Sequence, residues 1–199
     1  LTSGRSGIRH YGEHGETGQD EVTVFVESFA SAPHMVIFGA VDFTAALVKV
    51  AKVIGYRVTV CDAREVFATA RRFPQADRVV VEWPQRLLDV VGPELGPRDA
   101  VCVLTHDVRF DIPALMGALS TEAGYIGAMG SRRTHEAREK HLVEAGATVD
   151  QLRSIHAPIG LDLGALTPEE TAISICAEII AAHSGRSAGS LNASTGPIH

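Results

Sequence analysis

Five short, almost uninterrupted apolar runs constrain this chain more than any other feature. They are His34–Phe38 (HMVIF), Arg57–Cys61 (RVTVC), Arg78–Val81 (RVVV), Ala100–Leu104 (AVCVL) and Tyr125–Ala128 (YIGA). A strand that is apolar at successive positions must be covered on both faces, which is the signature of a parallel sheet. The runs are separated by stretches of helical character. Phe43–Ile54 places Phe43, Leu47, Val50, Ala51 and Ile54 on one stripe, and Phe110–Leu119 and Arg132–Ala145 read as further helices. Right-handed crossovers between parallel strands then predict an α/β fold: a doubly wound, mostly parallel, Rossmann-like sheet with helices on both faces. At 199 residues and 45% hydrophobic content the chain can bury such a core without disulfides or metals.

The ends read differently. Leu1–Asp20 holds five glycines and few apolar residues, so it reads as loop or linker. Glu21–Phe29 alternates apolar and polar residues as a half-buried strand, without a local hairpin partner. Leu1 stands where an initiator methionine would be, so residues 1–32 are expected to close a domain lying upstream. The Rossmann-like domain then occupies 33–184. Its last helix is marked by Thr167 as N-cap, Pro168 at the first helical position and Glu170 three residues after the cap, running to about His183. Residues 185–199 are Ser/Gly-rich and read as a flexible tail.

Charge and cysteines narrow the setting. A net charge of −6 argues against a general nucleic-acid or anionic-membrane binder. Cys61, Cys102 and Cys176 are far apart and each sits in an apolar run, so they read as buried thiols in a reducing, cytoplasmic protein. There is no apolar stretch of membrane-spanning length. His10–His14 matches an H-x-x-E-H spacing, but in a glycine-rich segment with no helix to hold it, so no metal site is expected.

Four loops carry candidate chemistry. The first, Gly39-Ala40-Val41-Asp42, stands where a dinucleotide fingerprint would lie and keeps only its first glycine. Val41 brings a β-branched side chain to the pyrophosphate position, and Asp42 is expected to N-cap the helix and compete with an anion. Asp62 ends the second strand where an acidic residue would meet a ribose, and Arg64 is spaced to meet a 2′-phosphate. A nucleotide site and an empty scaffold both fit this pattern. In the second loop, Thr105 and His106 lie at a strand's carboxyl end, where α/β sheets bind ligands, and His106 is an acid/base candidate. Thr105, Asp107 and Asp111 fit helix capping equally well. The third loop, Gly130-Ser131-Arg132-Arg133, pairs a flexible turn and a natural N-cap with two arginines at the wrong end of a helix dipole. An anionic ligand would balance them; a surface pair with Glu136 is the alternative. The fourth, His156–Gly164, puts His156, Gly160 and Asp162 on a shaped loop, with His156 and Asp162 as titratable candidates. Glu178, beside the Ile175/Ile179 stripe, is expected near the surface.

The segments FVESFASAPHMVIFGA, VTVCDAR, VLTHDVRFD, YIGAMGSRR and HAPIGLDLGALTPEETAISICAEII resemble the C-terminal domain of the XdhC/CoxI family, the accessory factors of xanthine dehydrogenase and carbon monoxide dehydrogenase. The resemblance spans about Val24–Ala182, with GSRR and HAPIGLDLGA…TPEE its most specific parts. It implies a Rossmann-like domain behind a smaller N-terminal one, usually as a homodimer. It also implies a non-catalytic chaperone role: binding the molybdenum cofactor and assisting its delivery to the apo-form of a molybdenum hydroxylase. The family pattern at the first loop resembles GAGHV, and Val41 and Asp42 depart from it. An NAD(P)-dependent oxidoreductase or NAD(P)-binding regulator is the competing expectation. Gly39, Asp62, Arg64, Thr105, His106, Gly130, Ser131, Arg132, Arg133 and Gly160 are then the expected cofactor-binding residues.

Overall fold

The computed structural model describes residues 6–16 and 20–193. These fall into two compact units, Leu1–Ala32 and Pro33–His199. In the first, β1 (Gly7–Tyr11) and β2 (Val22–Val26) form an antiparallel pair, with Gly7 opposite Val26 and Tyr11 opposite Val22. The expectation that Glu21–Phe29 has no hairpin partner is therefore corrected. GIRHY carries too few apolar residues to announce a strand, and most of the ladder is exposed. His10 and Tyr11 lie on β1 and residues 12–14 in its turn, so the H-x-x-E-H spacing has no helix beneath it.

The second unit contains a six-stranded sheet in the order β5-β4-β3-β6-β7-β8, and every pairing is parallel. The strands are β3 (His34–Phe38), β4 (Arg57–Cys61), β5 (Arg78–Val80), β6 (Ala100–Val103), β7 (Tyr125–Ala128) and β8 (Ile155–His156). The helices are α1 (Asp42–Val53), α2 (Pro84–Val91), α3 (Val108–Ala118), α4 (Arg132–Glu144), α5 (Val149–Arg153) and α6 (Pro168–Ser184). The two faces of β3 explain the winding. Met35 and Ile37 pack with Leu47 and Ala51 of α1 and Ile175 and Ile179 of α6. Val36 and Phe38 pack on the other face with Leu87 of α2, Leu115 of α3 and Leu142 of α4. Every residue of β3 is buried, as a strand between two helical layers requires.

The predicted helix bounds hold to within a residue or two. α6 starts as its sequence demands: Thr167 Oγ1 accepts the Glu170 N–H at 3.1 Å, and Glu170 returns a carboxylate oxygen to the Thr167 N–H at 3.0 Å. Gly185 ends it in the left-handed conformation, φ 64°. Residues 194–199 of the predicted tail lie outside the described residues. α2, α5 and β8 are additions that no sequence pattern announced. The three cysteines are buried, and burial pushes the Cys61 and Cys176 thiols up to about 12.

Candidate functional site

The strand order reverses between β3 and β6, and α/β sheets bind ligands in the crevice outside that reversal. A cleft of about 840 Å³ lies there, lined by Val41, Asp62–Arg64, Trp83 and Thr105–Phe110. Trp83 and Phe110 form an aromatic wall, ring centroids 5.7 Å apart. Of the ten residues expected from sequence to bind a cofactor, the cleft lining gathers Asp62, Arg64, Thr105 and His106, whereas Gly39, Gly130–Arg133 and Gly160 do not line it. Trp83 and Arg109 are lining residues that sequence reasoning missed, since a lone tryptophan after a three-residue strand carries no motif.

The first loop is built from its own contacts. Gly39 has φ +109°, and a Cβ there would stand 2.5 Å from Thr105 Cγ2, so the position takes only glycine. Its N–H donates to Cys61 O at 2.8 Å, and the Ala40 N–H donates to Asp62 Oδ2 at 2.9 Å. Val41, not Asp42, is the N-cap of α1. Asp42 is the first helical residue and its exposed carboxylate pairs with Arg72 at 3.3 Å, which corrects the expected capping role. The helix entrance is secured instead by Thr44, whose hydroxyl donates to Gly39 O at 2.5 Å.

Asp62 is buried and fully subscribed. Its two oxygens accept the Ala40 N–H, the Arg64 N–H, Arg64 Nε and Arg64 Nη2, all at 2.8–2.9 Å. A carboxylate has about four lone-pair sites, so a ribose diol reaching Asp62 must displace a partner. Burial alone would raise this carboxyl, but the Arg64 guanidinium and the two backbone N–H groups hold it below the usual range. Arg64 folds back onto Asp62 and over the Phe67 ring, 4.6 Å from its centroid, away from the role expected for a 2′-phosphate.

Beyond β6, capping explains only one of three polar residues. Asp107 caps α3 by accepting the Arg109 N–H at 3.0 Å. Thr105 donates instead to Asp111, and the other oxygen of Asp111 pairs with Arg138 Nη2 at 2.8 Å. Arg138 Nη2 also donates to Met129 O at 2.9 Å. The Asp111 and Arg138 side chains are each only 3% exposed, a pair that sequence could not reveal because α3 and α4 meet only in the fold. His106 is exposed on the cleft.

At the third loop Ser131 caps α4 as expected, accepting the Thr134 N–H at 3.1 Å. Arg132 and Arg133 are exposed, and among the described residues neither has an ion-pair partner, so the Glu136 alternative is not what forms.

At the fourth loop the carboxylate that matters is Glu178, not Asp162. Glu178 Oε2 accepts the Tyr125 hydroxyl at 2.5 Å and the Gly160 N–H at 2.8 Å, and Oε1 lies 3.3 Å from His156 Nδ1. Tyr125 stacks on the His156 ring, centroids 4.5 Å apart. Only 17% of the Glu178 side chain is exposed, which corrects the expectation of a surface position. Burial would raise Glu178, but its bonds from His156, Tyr125 and Gly160 hold it below the usual carboxylate range. Asp162 is exposed and outside this cluster. The 157–161 segment is clamped to its surroundings: Ile159 N–H donates to Ala128 O, and Ser174 Oγ donates to Leu161 O at 2.6 Å. Gly160 has φ +99° with Ser174 Oγ 2.6 Å from a would-be Cβ, so it serves packing rather than an open ligand surface. His156 is oriented by this cluster.

Among the described residues no group of three or more His, Cys, Asp and Glu side chains is arranged to hold a metal ion. No described helix is long and apolar enough to cross a membrane.

The chain is 32% identical over 162 residues to a Bacillus subtilis protein named as a probable subunit of xanthine dehydrogenase, covering 81% of this chain and 46% of that one. It is 36% identical over 80 residues to the molybdenum cofactor insertion chaperone PaoD of Escherichia coli, covering 40% of this chain and 25% of that one. It thus spans less than half the length of either relative. A crystal structure described as a xanthine dehydrogenase from Bacillus halodurans superposes with a TM-score of 0.66 at 26% identity, over 98% of this chain and 63% of that one. Residues 35–179, from β3 into α6, match the family described as the XdhC Rossmann domain. The chain belongs to the XdhC family.

Proposed function

We propose that this chain is the cofactor-handling module of a maturation factor, which binds the molybdenum cofactor and assists its delivery to a molybdenum hydroxylase. The observation that carries the reading is the cleft at the β3/β6 reversal, joined to family membership. A planar pterin suits an aromatic wall of Trp83 and Phe110, beside which Arg64 and Arg109 lie paired with Asp62 and Asp107, so the cleft wall itself is close to neutral. Thr105 and His106 lie on the same cleft as hydrogen-bonding groups. The Gly130–Arg133 turn, at the carboxyl end of the neighbouring β7, supplies charge for the cofactor's phosphate. In this reading the chain holds and orients the cofactor and no step of it is catalysed. A cytoplasmic homodimer that engages the apo-hydroxylase is part of the same proposal.

The second reading, an NAD(P)-linked oxidoreductase or regulator, rests on the Rossmann sheet and on Asp62 and Arg64. It asks more of this chain. Asp62 already has four donors, and the N–H groups of Gly39 and Ala40 already have acceptors. Titration of the full-length protein with molybdenum cofactor, NADH and NADPH, each in turn, separates the two. Saturable binding of the molybdenum cofactor with weak nicotinamide binding is expected. Tight NAD(P)H binding with hydride turnover refutes the chaperone reading.

A further inference from the structure

We infer that the turn between β7 and α4 is a subsite for a phosphoryl dianion, and that Arg138, buried against that turn, is the residue that makes it one. The inference takes only the identity of the phosphate's carrier from the functional reading above.

Helix α4 is 13 residues long and has no acidic residue in its first turn, where a dipole favours negative charge. That turn instead carries Arg132 and Arg133, exposed and without ion-pair partners among the described residues. A helix start of this kind is only a hint. The independent observation is Arg138, two turns further along. Its side chain runs back to the start of the helix, where Nη2 donates to Met129 O, the carbonyl just before the turn, and to Asp111. Nη1 is buried and has no acceptor among the described residues. An arginine N–H buried without an acceptor is rare because the desolvation is uncompensated, and an anionic oxygen is the acceptor that compensates it best. His135 Nδ1, three residues earlier on the same helix, is also buried without a partner, but the ring turns Nε2 to Glu139 at 3.4 Å, so Nδ1 is an acceptor and Arg138 alone supplies the unmatched donor.

Gly130 completes the cradle. Its φ is +148°, and a Cβ there would stand 3.2 Å from the Thr134 side chain and 3.7 Å from Arg138 Nη2. A side chain at 130 would press on Thr134 and lie against the guanidinium. The charge balance favours a dianion. Asp111 offsets Arg138 one for one, which leaves Arg132 and Arg133 for the ligand. A phosphate monoester carries close to two negative charges at neutral pH. The subsite is also joined to the cleft, since Asp111, which fixes Arg138, receives the hydroxyl of Thr105 on the cleft wall.

The test uses the full chain and inorganic phosphate as probe, followed by amide and arginine side-chain NMR, with chloride as control. Phosphate is expected to shift the amides of residues 130–134 and the Arg138 guanidinium. Its affinity should fall at least tenfold in R132A/R133A, whose exposed side chains leave the fold intact, and at least tenfold in R138K, which keeps the charge on Asp111 but loses the fork. Absence of shifts at 130–134, or equal affinity in both variants, overturns the site. So does a crystal structure grown with phosphate in which one water bridges Arg138 Nη1 and His135 Nδ1 and the turn holds no anion. Competition between phosphate and the molybdenum cofactor identifies the cofactor as carrier. Phosphate binding without competition keeps the subsite and assigns it to free phosphate. Cofactor binding with no effect of phosphate at the turn overturns the subsite and leaves the functional reading standing.

Discussion

Replacing Glu178 with alanine removes one carboxylate on which a buried hydroxyl, a backbone N–H and a histidine converge. Tyr125 is 1% exposed and cannot recover its bond from water. A buried donor left without an acceptor costs about 1–3 kcal/mol, and two are created, so the variant should lose about 3 kcal/mol. For a chain of this size each kcal/mol is worth about 2–4 °C, which predicts a fall in Tm of about 6–12 °C. E178Q is the informative partner. Its amide oxygen can keep the bonds from Tyr125 and Gly160, so only the charge facing His156 is lost, at about 1 kcal/mol. The pH dependence separates the two further. The folded carboxyl lies below its unfolded value of 4.5, so its stabilisation is fully present above that value and is lost as pH falls through the folded one. The gap between wild type and E178Q should therefore be widest near neutrality and close in acid. Thermal melts at pH 7 and in an acid series provide the measurement. An alanine variant that melts with the wild type, or a glutamine variant that falls as far as alanine, refutes the assignment of Glu178 as the hub of this cluster.

Other contacts set three more outcomes. G39A should be destabilised by more than about 2 kcal/mol in urea, since it combines a positive φ with a Cβ 2.5 Å from Thr105. T167A removes the α6 cap and should cost about 1 kcal/mol, or about 2–4 °C in Tm. W83A should lower Tm by about 2–4 °C, because Trp83 is only 43% exposed and packs on the buried Phe110, and should weaken cofactor binding about tenfold through the lost stacking surface; unchanged affinity would remove Trp83 from the site.

What could be read from sequence was what is encoded locally. The five continuous apolar runs specify strands covered on both sides, and Thr167, Pro168 and Glu170 specify a helix start within four residues, so both survive in the fold. β1 escaped because an exposed two-stranded ladder needs little apolar content, and β8 because two residues carry no pattern. Asp42, the first acidic residue of α1, has the residue type of a cap without its position. In the fold, the cap falls one residue earlier, and the Thr44 hydroxyl fixes the loop. Glu178 and Arg138 were illegible for a deeper reason. Each looks like an ordinary charged residue on a helix, and each acquires its role from partners on other elements, up to 53 residues away. The cleft residues lay between these extremes, because a polar residue at the end of an apolar strand is visible in sequence even when its partner is not.

The three sealed thiols give the molecule an internal clock. Cys61 lies on β4, Cys102 on β6 and Cys176 on α6, and none can meet a bulky disulfide reagent while the sheet and helices stay packed. Their modification rate therefore counts openings of the Rossmann unit one residue at a time, distinguishing loss of α6 from loss of the central strands without any added label. Thiol chemistry on this unit, by the same logic, begins only after it has come apart.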